Sequence, residues 1–201
     1  SLYRRVELYV MTFPSKNQDL EEAVKRFLKA IGHFGEPETE KTPERVAEFW
    51  HQHLLVGTET ERTLQVEGMP AESHDPVIMR DIDLHIVCPH HLTIGMGRGT
   101  LAYIPDEEWF GLGTLAKILE AATAKCTLQE TATREAAELA FKLLSPRATY
   151  VKLEFLHPCH NAHFGASSRT TVVTEAFRSK DDVSKNALES ALVRADDHPG
   201  T

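Results

Sequence analysis

No uninterrupted apolar run in the chain approaches the length needed to span a bilayer, so no membrane is expected among its partners. Cysteine is scarce: three in 201 residues cannot form a disulfide framework, which agrees with a reducing compartment. Cationic excess is missing too. Lys and Arg number 22 against 30 Asp and Glu, a formal charge of -8. Sequence-independent nucleic-acid binding needs clustered cations to displace counterions, so that class is set aside, and an anionic ligand must be met by a local basic pocket. There is no internal repeat. The start, Ser1 to Val10, sets basic residues before apolar ones, but Glu7 interrupts the run and no small-residue cleavage site follows. The expectation is a cytoplasmic protein folded as a single domain over 1–201, with a helical part at 1–57, a catalytic core at 76–177 and a charged tail at 178–201.

What the chain does have is histidine. There are eleven, and five of them (His90, His91, His157, His160, His163) fall in two short runs that also hold two of the cysteines. Cys88 and His91 are three positions apart, so a tight turn can bring a thiolate and an imidazole onto one ion. Cys159, 68 positions after His91, can add a second thiolate from a separate strand. Two sulfurs and one imidazole suit zinc, and three protein ligands leave a tetrahedral ion one open corner for water. The alternative reading makes Cys88 and Cys159 small buried hydrophobes with incidental histidines.

Around these runs the chain alternates between two periodicities. Leu20, Val24, Phe27, Leu28 and Ile31 recur at helical spacing over Gln18 to Ile31. Thr42-Pro43 opens a second helix, with Thr42 as N-cap and Pro43 at the first helical position. Its buried stripe is expected to be Val46, Phe49, Trp50, His53 and Leu54, and Gly57 is expected to end it. Thr58 to Asp75 reads as a polar connection. From Pro76 to Cys88, Ile82, Leu84, Ile86 and Cys88 face one way while Asp81, Asp83 and His85 face the other. Gly95, Gly97 and Gly99 read as turn or bulge residues before a return strand, Thr100 to Ile104. Helices are expected near Leu112 to Ala122 and Thr127 to Leu144, strands at Tyr150 to His157 and Thr170 to Phe177, and a short helix near Val183 to Arg194. This order gives an α+β fold: a four-stranded antiparallel sheet with helices packed on one face and an N-terminal helical extension. Its exposed edges invite closure by oligomerisation.

Thr42-Pro43-Glu44-Arg45-Val46, Arg80-Asp81-Ile82, Cys88-Pro89-His90-His91, Ala102-Tyr103-Ile104-Pro105, Gly111-Leu112-Gly113, Leu128-Gln129-Glu130 and His157-Pro158-Cys159 together resemble GTP cyclohydrolase I, in order and spacing, over Thr42 to Phe177. The resemblance implies the tunnelling fold, in which subunits join their sheets into an oligomeric barrel as a pentamer or decamer. It implies a Zn2+ held by Cys88, His91 and Cys159. The reaction it implies opens a purine nucleotide at C8, releases formate and recloses to a dihydropterin, within pterin and tetrahydrofolate biosynthesis. His90 and His157 match the family's proton-transfer histidines, and Glu130 with Gln129 matches the positions that hold the guanine edge.

The departures fall on the anion clamp. Gly113 stands where the family has serine, Thr114 where it has lysine, Lys117 where it has arginine, and His163 where it has arginine after the second cysteine. Arg45, Lys117 and His163 remain as candidate phosphate contacts, with Arg169 as a further substitute. A charge-assisted contact is worth about 1.5 to 3 kcal/mol, so losing two or three weakens triphosphate binding by orders of magnitude. Two alternatives therefore stand beside the family's own reaction. One is a ring-opening or amide hydrolysis on a substrate with fewer phosphates or a different heterocycle. The other is a non-catalytic protein whose zinc is closed off by His160 or His163. Cys126, the remaining thiol, reads as a packed helix residue.

Overall fold

The computed structural model describes residues 18–164 and 170–197, and of residues 163, 164, 196 and 197 the backbone alone. The chain divides into two compact units between Gln52 and His53.

In the first unit, α1 (Gln18–Ala30) packs on α2 (Thr42–Phe49), with a 3₁₀ turn, Pro37–Thr39, between them. The predicted apolar stripe of α1 is present, yet within it only Leu28 is buried; Phe27 is 64% exposed and Ile31 49%. The stripe is wider than one neighbouring helix can cover. Lys41 occupies the cap of α2, so Thr42 is already helical and makes no capping bond there. Ala47 and Leu54 are buried, whereas Phe49 and His53 are exposed. A π-helical turn over Trp50–Leu54 follows α2 and winds more residues per turn than the 3.6 the sequence period assumes, a change of phase that falls on His53 but not on Phe49, the last residue of α2.

In the second unit, α3 (Gly57–Thr63) docks on the end of a later helix. Gly57 starts this helix instead of stopping the previous one: a Cβ there would lie 2.8 Å from Ala124 O, and its N–H donates to that oxygen at 2.9 Å. The polar connection also holds β1 (Gly68–Pro70), which pairs with β4 (Glu108–Phe110) as a small ribbon too short to show alternation in sequence.

Four antiparallel strands form the main sheet in the order β2 (Val77–Val87), β3 (Ile94–Ile104), β5 (Ala148–Leu156), β6 (Thr171–Ser179). Leu84, Ile86, Leu101, Tyr103, Val151, Leu153 and Phe155 turn inward from it. Against them pack α4 (Leu112–Thr123) and α5 (Gln129–Leu144), through Leu115, Ile118, Leu119, Ala136 and Ala140. The three glycines lie inside β3 instead of in a turn. A Cβ on Gly97 would meet Glu154 O at 2.0 Å, and one on Gly99 would meet Leu84 and Leu119 side-chain carbons at 2.5 and 2.8 Å, so these positions mark close approach. The bulge falls in β2 instead, between Met79 and Ile82, with Asp81 left-handed at φ 57°. Helices are not confined to one face: α7 (Asp182–Asp197) sets Leu188 against Ala102, Ile104, Ala148 and Tyr150 on the opposite side, where two alanines leave room. Among the described residues no helix is long and apolar enough to cross a membrane.

Candidate functional site

Both β2 and β5 run antiparallel to β3, so both end on the same side of the sheet, with the start of β3 between them. Cys88 follows the last residue of β2 on its inward parity and is buried. The next residues fold back on themselves: Leu92 N–H donates to Cys88 O at 2.8 Å and Cys88 N–H to Thr93 O at 2.9 Å. That closure holds Leu92 left-handed at φ 53°, a conformation glycine or asparagine would adopt more cheaply, and it returns His91 toward Cys88. At the end of β5 the strand does not continue past Pro158. Instead α6 (Pro158–Phe164) begins, with proline at its first position, where a missing N–H costs nothing. Cys159 therefore comes from a helical first turn and not from strand parity.

Cys88 Sγ lies 4.0 Å from Cys159 Sγ and 4.0 Å from His91 Nδ1, and ligand atoms of all three lie within 4.8 Å of one another. Tetrahedral zinc at its ordinary bond lengths separates two sulfurs by about 3.8 Å and sulfur from nitrogen by about 3.6 Å. Two thiols and an imidazole so spaced fit that ion, and as a donor set they suit it over a hard cation.

His157 stands at the junction of β5 and α6. Its Nε2 is 2.8 Å from Gln129 Oε1. Burial holds its imidazole below the ordinary histidine range; the Glu130 carboxylate pulls the other way, and His160 reinforces burial. Gln129, expected with Glu130 at a purine edge, is buried and engaged within the fold: its amide nitrogen contacts Leu153 O, Val172 O and Thr174 Oγ1. Glu130 beside it is exposed. His90 is exposed, its ring edge-on to His91 with centroids 6.2 Å apart.

The structure thus gathers Cys88, His91, Cys159, His157, Gln129 and Glu130. Lys117 lines a different groove, of about 390 Å³, with Ile82, Asp83, His85 and Glu120. Arg45 is exposed in the first turn of α2, in the other unit. His163 falls on α6 with its side chain outside the described residues, and Arg169 lies outside them altogether. Cys126 is exposed instead of packed, beside Val87 in a single bridge. Sequence reasoning missed Thr133 and Thr174, which close a polar network with Gln129; the four-residue spacing of Gln129 and Thr133 was the one available signal. It also missed Thr93 Oγ1 and Asn161 Oδ1, buried polar atoms without a hydrogen-bond partner among the described residues, one on each ligand-bearing segment.

A family model described as GTP cyclohydrolase I matches residues 20–193. GTP cyclohydrolase 1 of Deinococcus radiodurans is 30% identical over 167 residues, 82% of this chain and 77% of its own length. GTP cyclohydrolase 1 of Streptococcus agalactiae is 32% identical over 174 residues, 83% of this chain and 91% of its own. Among solved structures, an apo archaeosine synthase QueF-like protein aligns with 52% of this chain and 96% of its own at 17% identity and a TM-score of 0.42.

Proposed function

The chain belongs to the GTP cyclohydrolase I family, and from that premise we propose that it is a zinc-dependent hydrolase of cyclic amidines that opens the purine five-membered ring at C8. Formate leaves, and the opened nucleotide recloses to a dihydropterin. The observation that carries this reading is the meeting of Cys88, His91 and Cys159 beside His157 and Glu130.

Cys88, His91 and Cys159 would hold the zinc, which when bound supplies a Lewis acid and lowers the pKa of water toward neutrality. His157, kept neutral by burial, is suited to accept a proton, and exposed His90 to exchange one with solvent. Glu130 can accept two N–H donors from one edge of a guanine, an orientation that presents C8 rather than the amino group to the sulfur-rich end. Arg45, Lys117 and His163 are the remaining candidates for the phosphates. Subunits would pair their outer strands into the barrel of the tunnelling fold.

Gly113 and Thr114 favour a second reading, in which the same chemistry acts on a substrate with fewer phosphates. Incubating zinc-loaded protein with GTP, GMP and guanosine separates the two, with formate and pterin absorbance as readouts. Formate from GTP well above that from guanosine supports the first; the reverse ranking supports the second; no formate from any purine overturns both. Cys88→Ser and Cys159→Ser should each lose stoichiometric zinc together with turnover. His90→Gln should keep zinc and lose about 10²-fold or more in rate.

A further inference from the structure

The amide of Gln129 is held in one sense by its neighbours, and that sense decides which nitrogen of His157 carries a proton. Gln129 Nε2 lies 3.1 Å from Leu153 O, 3.0 Å from Val172 O and 3.0 Å from Thr174 Oγ1. Two of these partners are backbone carbonyls, which can only accept. Flipping the amide would set its oxygen against two other oxygens, so the nitrogen must face them.

The two threonines complete the circuit. Thr133 Oγ1 is 2.8 Å from Gln129 O, another pure acceptor, and so donates its proton there. It can then only accept from Thr174 Oγ1, 2.6 Å away. Thr174, its own proton engaged, can only share one of the two Gln129 N–H groups directed at Leu153 O and Val172 O, and Gln129 Oε1 is left as an acceptor 2.8 Å from His157 Nε2. An acceptor at that distance requires a proton on Nε2.

We infer that Gln129 is a positioning residue: its amide, oriented by Leu153 O and Val172 O, holds a proton on His157 Nε2 and so fixes the tautomer of that ring, leaving Nδ1 as the nitrogen without a proton. No described residue hydrogen-bonds Nδ1. Gly95, on the intervening strand, borders it, and a Cβ there would lie 3.6 Å away. Both polar atoms of the Gln129 side chain are engaged within the fold, so Gln129 does not read the substrate itself. The expected effect on rate rests on the reaction proposed above, whereas the tautomer does not.

The test is nuclear magnetic resonance of the full chain carrying ¹⁵N-labelled histidine, with and without added zinc. The His157 ring signals are identified by their loss in His157→Asn. The Nε2–H pattern is expected in both samples. An Nδ1–H pattern, or an average of both tautomers, overturns the inference. Gln129→Met removes the acceptor, whereas Thr174→Val, close in shape, leaves in place the two backbone carbonyls that aim the amide. Gln129→Met should shift His157 toward a mixture while Thr174→Val keeps the Nε2–H pattern, and an unchanged pattern in Gln129→Met also overturns the inference. With GTP as substrate, Gln129→Met should lower kcat about tenfold or more while KM stays within about twofold. A raised KM at unchanged kcat would make Gln129 a substrate contact after all. If GTP is not turned over, the reaction fails, while the resonance experiment still decides the tautomer.

Discussion

Tyr103 has no exposed surface, and its hydroxyl accepts the Phe110 N–H at 3.0 Å, fastening β4 to the sheet. Burial raises its phenol above the ordinary range, and the Phe110 amide opposes that shift. Tyr103→Phe fits the same space but leaves the Phe110 amide without an acceptor, which should cost about 1 to 3 kcal/mol in urea unfolding. Asp106 is different because its partners are at the surface: Lys180 Nζ at 2.8 Å and Arg147 Nε at 3.1 Å hold its carboxyl below the usual range. A depressed carboxylate stabilises the fold above its unfolded pKa, and that stability is lost as pH falls through the folded value. Asp106→Asn should therefore lower Tm at pH 7, and the gap to wild type should close below about pH 4 and shrink in high salt. Scanning calorimetry across pH checks both. Single residues were legible where chemistry alone suffices: Cys88, His91 and Cys159 stand out by type and spacing. Gln129 did not, because its role depends on where carbonyls from two other strands lie.

At the level of elements, β3 depends on having no side chains where its neighbours come closest. Gly97→Ala would force a Cβ onto Glu154 O, a backbone atom that cannot swing aside, so β3 and β5 must part locally. A loss of about 1 to 3 kcal/mol or more is expected in denaturant unfolding. Gly113→Ala on α4 serves as the control, since nothing lies within 4 Å of a Cβ there; it should be neutral or mildly stabilising. The strands β2, β5 and β6 and the helices α4 and α5 were readable from alternation and helical period. Glycines inside β3 were not, since composition cannot separate a turn from a close approach. The π turn after α2 likewise escaped, because its phase shift is set by packing.

For the whole molecule, the open sheet is the consequential feature. Among the described residues neither β2 nor β6 has a neighbour on its outer side, and Val172 and Val173 of β6 are partly exposed at that edge. Such edges recruit another strand or are blunted, and the proposed barrel would use them to join copies of the chain. Sedimentation at micromolar concentration should give a pentamer or decamer, and a mass of one chain would remove the barrel from the proposal. The sequence by itself determined most of the main strands and helices, the Cys88, His91 and Cys159 cluster and the family, because alternation, spacing and side-chain chemistry are local properties. Only the tertiary structure decided that Cys159 arrives from a helix, that α7 packs on the second face, and that Gln129 lies in hydrogen-bond contact with His157. Those outcomes depend on atoms from β5, β6 and α5 that are far apart along the chain and meet only once the sheet is formed.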